Sequence, residues 1–170
     1  MGGSDSGKLS KASVFAHDPQ TGVRPVVPAH GTNASNALPR RRLHILAIDD
    51  EPRFLESLSL ALGDEHDVET CVSATAALEL LANAAHPHEF DVVLCDLAMP
   101  DIDGAKFYAC MEAMGMGDRF VLMTGGAFAP RAAAFVQSGV CPTIAKPFLL
   151  DALLALLDRV AQDSAARRGP

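Results

Sequence analysis

From residue 43 onward, short apolar runs alternate with segments in which apolar residues recur at helical spacing. The apolar runs cover residues 43–48, 67–72, 90–95, 120–123 and 143–145. Helical spacing follows each of them, over residues 54–62, 74–84, 105–114, 127–137 and 149–160. This alternation predicts a parallel sheet, because a right-handed crossover through a helix makes each strand run in the same direction as the one before it. We therefore predict an α/β fold, a doubly wound five-stranded parallel sheet with helices on both faces.

The composition divides the chain into one predicted domain and two tails. Residues 1–42 are rich in Gly, Ser, Pro, Asn and Thr and keep no helical or strand period, which is typical of a flexible linker or tail. Residues 43–161 contain all the predicted elements and suffice for one domain of ordinary size. Residues 162–170 are predicted to be a disordered C-terminal tail.

Acidic and basic residues are unevenly distributed. Residues 1–42 hold six of the 14 Lys and Arg and two of the 21 Asp and Glu, so the rest of the chain is strongly acidic. An acidic body lacks the clustered cations that neutralise nucleic-acid phosphates, and we predict no direct DNA binding. The basic run at 40–42 is compatible with a nucleic-acid or acidic-lipid contact, but a solvated flank of the first strand is the favoured interpretation.

The cysteines and the apolar runs bear on the cellular compartment. Cys71, Cys95, Cys110 and Cys141 are widely spaced among apolar residues, form no C-x-x-C pair and are interpreted as buried thiols. The chain does not open with a charged and then apolar signal sequence, and no apolar stretch is long enough to span a membrane. These features predict a cytoplasmic protein without a membrane span.

Polar residues stand at the ends of four predicted strands. The first strand ends at Asp49 and Asp50, the third at Asp96, the fourth at Thr124 and the fifth at Lys146. Ligands of an open parallel sheet bind beyond the carboxyl ends of its strands, so these side chains are expected to meet. Converging carboxylates repel each other and need a cation, and Mg²⁺ prefers oxygen ligands and phosphate. The pattern predicts metal-assisted phosphoryl transfer with a carboxylate nucleophile.

Four motifs together resemble those of response-regulator receiver domains of two-component signalling. They are DDEP at 49–52, CDLAMPDIDG at 95–104, MTGG at 123–126 and AKPF at 145–148, in the order typical of that family. The resemblance covers about residues 43–161. It implies a flavodoxin-like sheet with strand order 2-1-3-4-5. It also implies a phosphoacceptor that receives a phosphoryl group from a histidine kinase or a histidine phosphotransfer protein and then signals to a downstream protein target that the sequence does not name.

The resemblance also implies roles for individual residues. Asp96 corresponds to the phosphorylated aspartate. Asp50 corresponds to a direct Mg²⁺ ligand, Asp49 to a ligand acting mainly through water, and the backbone carbonyl of Ala98 to a third protein ligand.

Two further residues correspond to the pair that senses the phosphoryl group. The hydroxyl of Thr124 and the ammonium of Lys146 are expected to contact phosphoryl oxygens. The bond between Lys146 and Pro147 corresponds to one that is usually cis in the family, and we expect that isomer here.

The chain departs from the family pattern at two places. Thr143 stands where similar domains usually carry the Tyr or Phe that rotates inward with the hydroxyl, so the aromatic switch is missing. Ala98 and Gly126, two residues after Asp96 and Thr124, have no side chain able to orient an attacking water. We therefore expect a slowly hydrolysing aspartyl phosphate.

Two other functions compete with this interpretation. An aspartate-nucleophile phosphohydrolase of the haloacid-dehalogenase type also orders Asp, Thr and Lys along a parallel sheet, but it needs a second acid at the place of Ala98. A receiver-like scaffold that is never phosphorylated is the other alternative. We favour a signalling receiver that is not an enzyme beyond assisting its own phosphorylation and dephosphorylation. Asp101 and Asp103 are interpreted as parts of a solvated turn.

Overall fold

The computed structural model describes residues 41–83, 89–125 and 130–169, and the side chains of residues 130 and 131 are not described. The chain divides into two units, residues 1–37 and 38–170, and every described residue belongs to the second. The predicted linker or tail lies outside the description except for residues 41 and 42. Parts of two predicted helices, residues 84 and 127–129, also lie outside it.

Five strands alternate with five helices in the described residues, as the apolar pattern predicts. The elements are β1 His44–Ile48, α1 Pro52–Leu62, β2 Asp67–Cys71, α2 Ala74–Asn83, β3 Val92–Asp96, α3 Gly104–Ala113, β4 Phe120–Gly125, α4 Pro130–Ser138, β5 Thr143–Lys146 and α5 Leu150–Arg168. A short 3₁₀ helix, Gly117–Arg119, precedes β4. Sequence periodicity does not predict this turn.

The sheet is entirely parallel, with strand order β2-β1-β3-β4-β5. Alternate side chains of β1 enter two separate cores: Ile45 and Ala47 pack with α1 and α5, whereas Leu46 and Ile48 pack with α2, α3 and α4. Strand β3 lies at the centre and is buried along its whole length. The doubly wound fold with helices on both faces and the predicted strand order are confirmed.

Helix α5 is longer than predicted. It continues to Arg168, so residues 162–168 of the predicted disordered tail are helical. Apolar periodicity ends near Val160, but Ser164 is completely buried and accepts a hydrogen bond of 2.6 Å from the Arg168 guanidinium. A small polar residue does not indicate a packed helical face in the sequence, because its burial depends on a tertiary neighbour.

The basic run before β1 is more than a solvated flank. Arg41 forms an ion pair of 2.8 Å with Asp91, and Arg42 forms one of 2.8 Å with Asp67. Arg42 also donates to the carbonyls of Gly63 and Asp64. These two arginines attach the start of the domain to its acidic body.

The cysteines are only partly as predicted. Cys95 and Cys141 are buried, whereas Cys71 and Cys110 are half-buried because they lie on the edge strand and on α3. In the described residues no helix is both long and apolar enough to cross a membrane.

Gly104, the first residue of α3, allows this helix to approach the end of β3. A Cβ atom at position 104 would lie 2.7 Å from the carbonyl oxygen of Asp96 and 2.8 Å from Cδ1 of Leu122. Both distances are shorter than van der Waals contact. The glycine is therefore needed for steric reasons at the point where α3 meets Asp96.

We expect Gly104→Ala to lower the free energy of unfolding by about 1–3 kcal/mol, because a clash with buried backbone must be relieved by moving α3 or β3. Urea denaturation measures the change. Ala109→Ser, on the exposed side of the same helix, is the matched control and should change stability by less than about 0.5 kcal/mol. Equal stability of Gly104→Ala and the native chain would contradict the steric argument.

Candidate functional site

The carboxyl ends of β1, β3, β4 and β5 form one rim of the sheet. The register pairs Asp96 with Met123 and Thr124 with Ala145, so the last residues of these neighbouring strands lie side by side. Asp49, directly after β1, is 2% exposed, Asp96 is 7% exposed and Thr124 is 4% exposed. Asp50 is exposed to solvent. Two carboxylates and one hydroxyl are therefore buried on this rim.

The ammonium of Lys146 joins the two buried carboxylates. Its Nζ donates to Oδ2 of Asp49 and, at 2.6 Å, to Oδ1 of Asp96. Burial alone would lower the pKa of Lys146, but the hydrogen bonds and negative charges of Asp49 and Asp96 outweigh it and raise that pKa. Lys146 is therefore a cation at neutral pH. It lies at the end of β5 and bonds to the carboxylate that follows β1 and to the carboxylate that ends β3.

The remaining carboxylate oxygens are held by the backbone. Oδ1 of Asp49 accepts a hydrogen bond of 2.9 Å from the amide of Glu51, and Oδ2 of Asp96 accepts one of 2.7 Å from the amide of Ala98. Each of the four oxygens thus has a donor, which fixes both carboxylates in one orientation.

Charge is nevertheless not balanced at the rim. One ammonium faces two buried carboxylates, and the exposed Asp50 adds further negative charge beside them. Within the described parts of the chain, no three acidic, His or Cys side chains are grouped closely enough to hold a metal ion as they stand. The donor set is nevertheless of hard oxygens with excess negative charge, which suits Mg²⁺ retaining several of its waters.

The predicted site residues are thus placed as follows. Asp49, Asp96 and Lys146 are in direct contact, and Thr124 lies on β4, the strand between those that carry Asp96 and Lys146. Ala98 contacts Asp96 through its amide.

Phe54 is a neighbour of the site that sequence reasoning missed. The Nζ atom of Lys146 lies 4.2 Å from the centroid of the Phe54 ring, and Phe148 packs edge-on against that ring at 6.1 Å. Phe54 lies two residues after Pro52 of the motif at 49–52, and Phe148 directly follows Pro147 of the motif at 145–148. These places beside two motifs are a weak signal, because nothing local shows that the two segments meet.

Asp101 connects the loop after Asp96 to helix α2. Its Oδ2 atom accepts hydrogen bonds of 2.8 Å from the Ser73 hydroxyl and 2.9 Å from the Thr75 amide. The Thr75 amide, with Ser73 and Ile102, lowers the pKa of Asp101 well below its usual range. Asp103 accepts a bond of 2.9 Å from the amide of Lys106 and caps α3. Asp101 is exposed in a bend, as the predicted solvated turn requires, and both side chains are in addition hydrogen-bond partners of helix ends.

A thiol beside the carboxylates can be excluded as the nucleophile. Cys95 precedes Asp96 and is buried, and burial together with the charges of Asp96 and Asp49 raises its pKa well above the usual range. The neutral thiol is a poor nucleophile.

Two further sequence expectations concern β5. The peptide bond between Lys146 and Pro147 is cis, as expected. Thr143, in place of an aromatic residue, is half-buried, and its hydroxyl lies 3.3 Å from the carbonyl of Cys141, to which it donates a hydrogen bond.

Comparison with known proteins identifies the family. Residues 45–158 match the family model of the response regulator receiver domain. The chain belongs to this family. This receiver domain is 32% identical over 123 residues to the transcriptional regulatory protein GlrR of Escherichia coli K12, which covers 72% of the chain and 27% of GlrR. It is 33% identical over 108 residues to the two-component response regulator ORR26 of Oryza sativa subsp. japonica, covering 62% of the chain and 18% of that protein.

Solved structures show the same fold. A response regulator receiver domain protein from Clostridium thermocellum superposes with a TM-score of 0.63 at 22% identity, covering 73% of this chain and 98% of the other. The receiver domain of the Francisella response regulator 1452 gives 0.60 at 17% identity, covering 72% and 99%. The chain spans about a quarter or less of the two curated relatives named above.

We expect Asp101→Ala to lower the free energy of unfolding at neutral pH by about 1 kcal/mol, because the first turn of α2 loses a capping acceptor. The depressed pKa of Asp101 means that its contribution is complete above the unfolded-state value, about 3.9, and is lost as the pH falls below it. Denaturation at neutral pH and near pH 3 measures both effects.

Asp163→Asn, on the exposed side of α5, is the control. The difference in free energy of unfolding between this variant and the native chain should be the same at neutral pH and near pH 3. A stability difference for Asp101→Ala that stays constant down to pH 2 would contradict the proposed role of the charged cap.

Proposed function

We propose that this receiver domain accepts a phosphoryl group on Asp96 from a histidine kinase or a histidine phosphotransfer protein, with Mg²⁺ as cofactor. The observation that supports the proposal most directly is the Lys146 ammonium held between two buried carboxylates on the rim of a parallel sheet. A carboxylate nucleophile, a cation and a buried hydroxyl are the groups that phosphoryl transfer requires.

The reaction at Asp96 is a displacement at phosphorus. A carboxylate oxygen of Asp96 attacks the phosphorus atom, the bond to the donor imidazole breaks, and an acyl phosphate forms on the receiver. The attacking oxygen gives up its negative charge, the leaving imidazole nitrogen keeps the electron pair of the broken bond, and the transferred phosphoryl group brings its own negative charge to the rim. Lys146, which is already paired with Asp96, can follow that charge and pair with a phosphoryl oxygen, while Thr124 donates its hydroxyl to another.

Mg²⁺ would be held by Asp49, Asp50, Asp96 and the backbone carbonyl of Ala98. When bound, it neutralises charge on the transferred group. The rim offers oxygen donors and an excess of negative charge over the single Lys146 ammonium, which fits such a cation.

The output of the domain is proposed to be protein–protein contact in the cytoplasm. Phosphorylation of Asp96 replaces a Lys146 partner and so changes the contacts of β5, and a downstream protein would read that change. We propose that residues 43–161 do not bind DNA directly. The proposal is restricted to these residues because the relative GlrR is named a transcriptional regulatory protein, and the chain covers only 27% of its length. The domain is proposed to catalyse nothing beyond its own phosphorylation and dephosphorylation.

The scaffold and the phosphohydrolase remain testable alternatives. A phosphohydrolase needs an acid two residues after its nucleophile, where this chain has Ala98, whose amide bonds to Asp96. Steady release of phosphate from phosphomonoesters, well beyond one equivalent, would favour that enzyme over a receiver.

Incubation with acetyl phosphate and Mg²⁺ should add the mass of one phosphoryl group to the native chain and none to Asp96→Asn, as measured by intact-protein mass spectrometry. Asp101→Asn is the matched control, because it changes an acid of the same loop and should still be labelled. Omission of Mg²⁺ should abolish labelling. An unlabelled native chain would favour the scaffold.

The aspartyl phosphate should persist for minutes or longer in the isolated domain, because Ala98 has no side chain to orient an attacking water. Gly126, the second position in this expectation, lies outside the described residues. Decay of the labelled fraction after removal of acetyl phosphate measures the lifetime. Ala98→Asn should shorten it, and a half-life of seconds in the native chain would refute the hypothesis.

A further inference from the structure

Phe54 and Lys146 meet although they lie 92 residues apart in the chain. The ammonium of Lys146 is 4.2 Å from the ring centroid, well inside the range of a cation–π contact. We propose that Phe54 is a positioning residue that holds the Lys146 ammonium on Asp49 and Asp96 in the unphosphorylated state and thereby weakens the binding of Mg²⁺ to these carboxylates. This inference rests on the proposed function and deepens it.

The position of the Phe54 ring is set by the elements that carry the site. Helix α1 begins at Pro52, immediately after the acidic loop, and the amides of Phe54 and Leu55 bond to the carbonyl of Glu51 at 3.1 and 3.2 Å. On the other side, the edge-on contact with Phe148 holds the ring plane at 80° to that of Phe148. Phe148 follows Lys146 by two residues, so both neighbours of the ring come from the segment that carries the lysine of the site.

The ammonium gains from this contact because it is largely removed from water. The Lys146 side chain is 21% exposed, and a cation–π contact is worth more as the cation loses its hydration. Two carboxylates and one aromatic face therefore attract the same ammonium. An aliphatic side chain at position 54 would fill the same half-buried space against the α1–α5 core but would lack the negative ring face.

Lys146 and Mg²⁺ compete for the same carboxylates. Asp49 and Asp96 each have one oxygen bonded to Lys146 and the other to a backbone amide. A cation that takes these oxygens must displace or weaken the ammonium contact, so any group that stabilises Lys146 in place opposes cation binding. Phe54 is such a group. Loss of its ring should therefore make the unphosphorylated domain bind Mg²⁺ more tightly.

Phe54→Leu should bind Mg²⁺ about two- to fivefold more tightly than the native chain, as measured by isothermal titration calorimetry without a phosphodonor. Phe54→Tyr retains an aromatic face and should bind as the native chain does. Phe148→Leu keeps the ring of Phe54 and should have a smaller effect. Unchanged affinity in a folded Phe54→Leu variant would overturn the proposal.

A measurement without metal tests the same contact. In the native chain the ε-methylene protons of Lys146 should be shifted upfield in the NMR spectrum by the Phe54 ring current, and Phe54→Leu should remove that shift while Phe54→Tyr retains it. Absence of the shift in the native chain would overturn the proposal even if affinities differ. A native chain that binds no Mg²⁺ would overturn the metal part of the proposed function instead, and the NMR result would still decide the role of Phe54.

Discussion

The ammonium of Lys146 is the cation that makes this rim of the sheet possible. Asp49 and Asp96 are almost completely buried, and two ionised carboxylates so close together are stable only when a positive charge lies between them. Because Lys146 comes from β5 and the carboxylates follow β1 and end β3, one side chain connects segments that are nearly one hundred residues apart in the chain. The same two ion pairs therefore form the site and attach the end of β5 to the ends of β1 and β3.

The architecture makes such a meeting unavoidable. In an entirely parallel sheet every strand ends at the same rim, so polar residues placed after buried strands are brought together by topology alone. Close packing then refines the position of each group. Gly104 lets α3 approach the carbonyl of Asp96, and Asp101 attaches the intervening loop to the start of α2. These contacts hold the far part of the loop that follows Asp96, and the bond from the Ala98 amide to the carboxylate holds its start.

Where sequence reasoning was incomplete, the missing information was long-range. Apolar periodicity predicts the end of α5 too early, because the small polar side chain of Ser164 gives no sign in the sequence that it is buried. The 3₁₀ turn before β4 was missed for the same reason: Arg119, an apparent surface residue, is 2% exposed and donates to the carbonyl of Phe90. Asp101 and Ser73 are 28 residues apart, so no local pattern indicates that they form one helix cap.

By itself the sequence determined the fold class, the strand order through family resemblance, and the identity of the residues at the strand ends. Those features follow from apolar periodicity and from motif order, which are local properties of the sequence. Only the tertiary structure decided which of these polar groups touch: that Lys146 bonds to both Asp49 and Asp96, that Asp50 faces solvent, and that Phe54 lies beneath the ammonium. The physical reason is that hydrogen bonds and ring contacts depend on ångström-scale distances between side chains from different elements, and packing sets those distances.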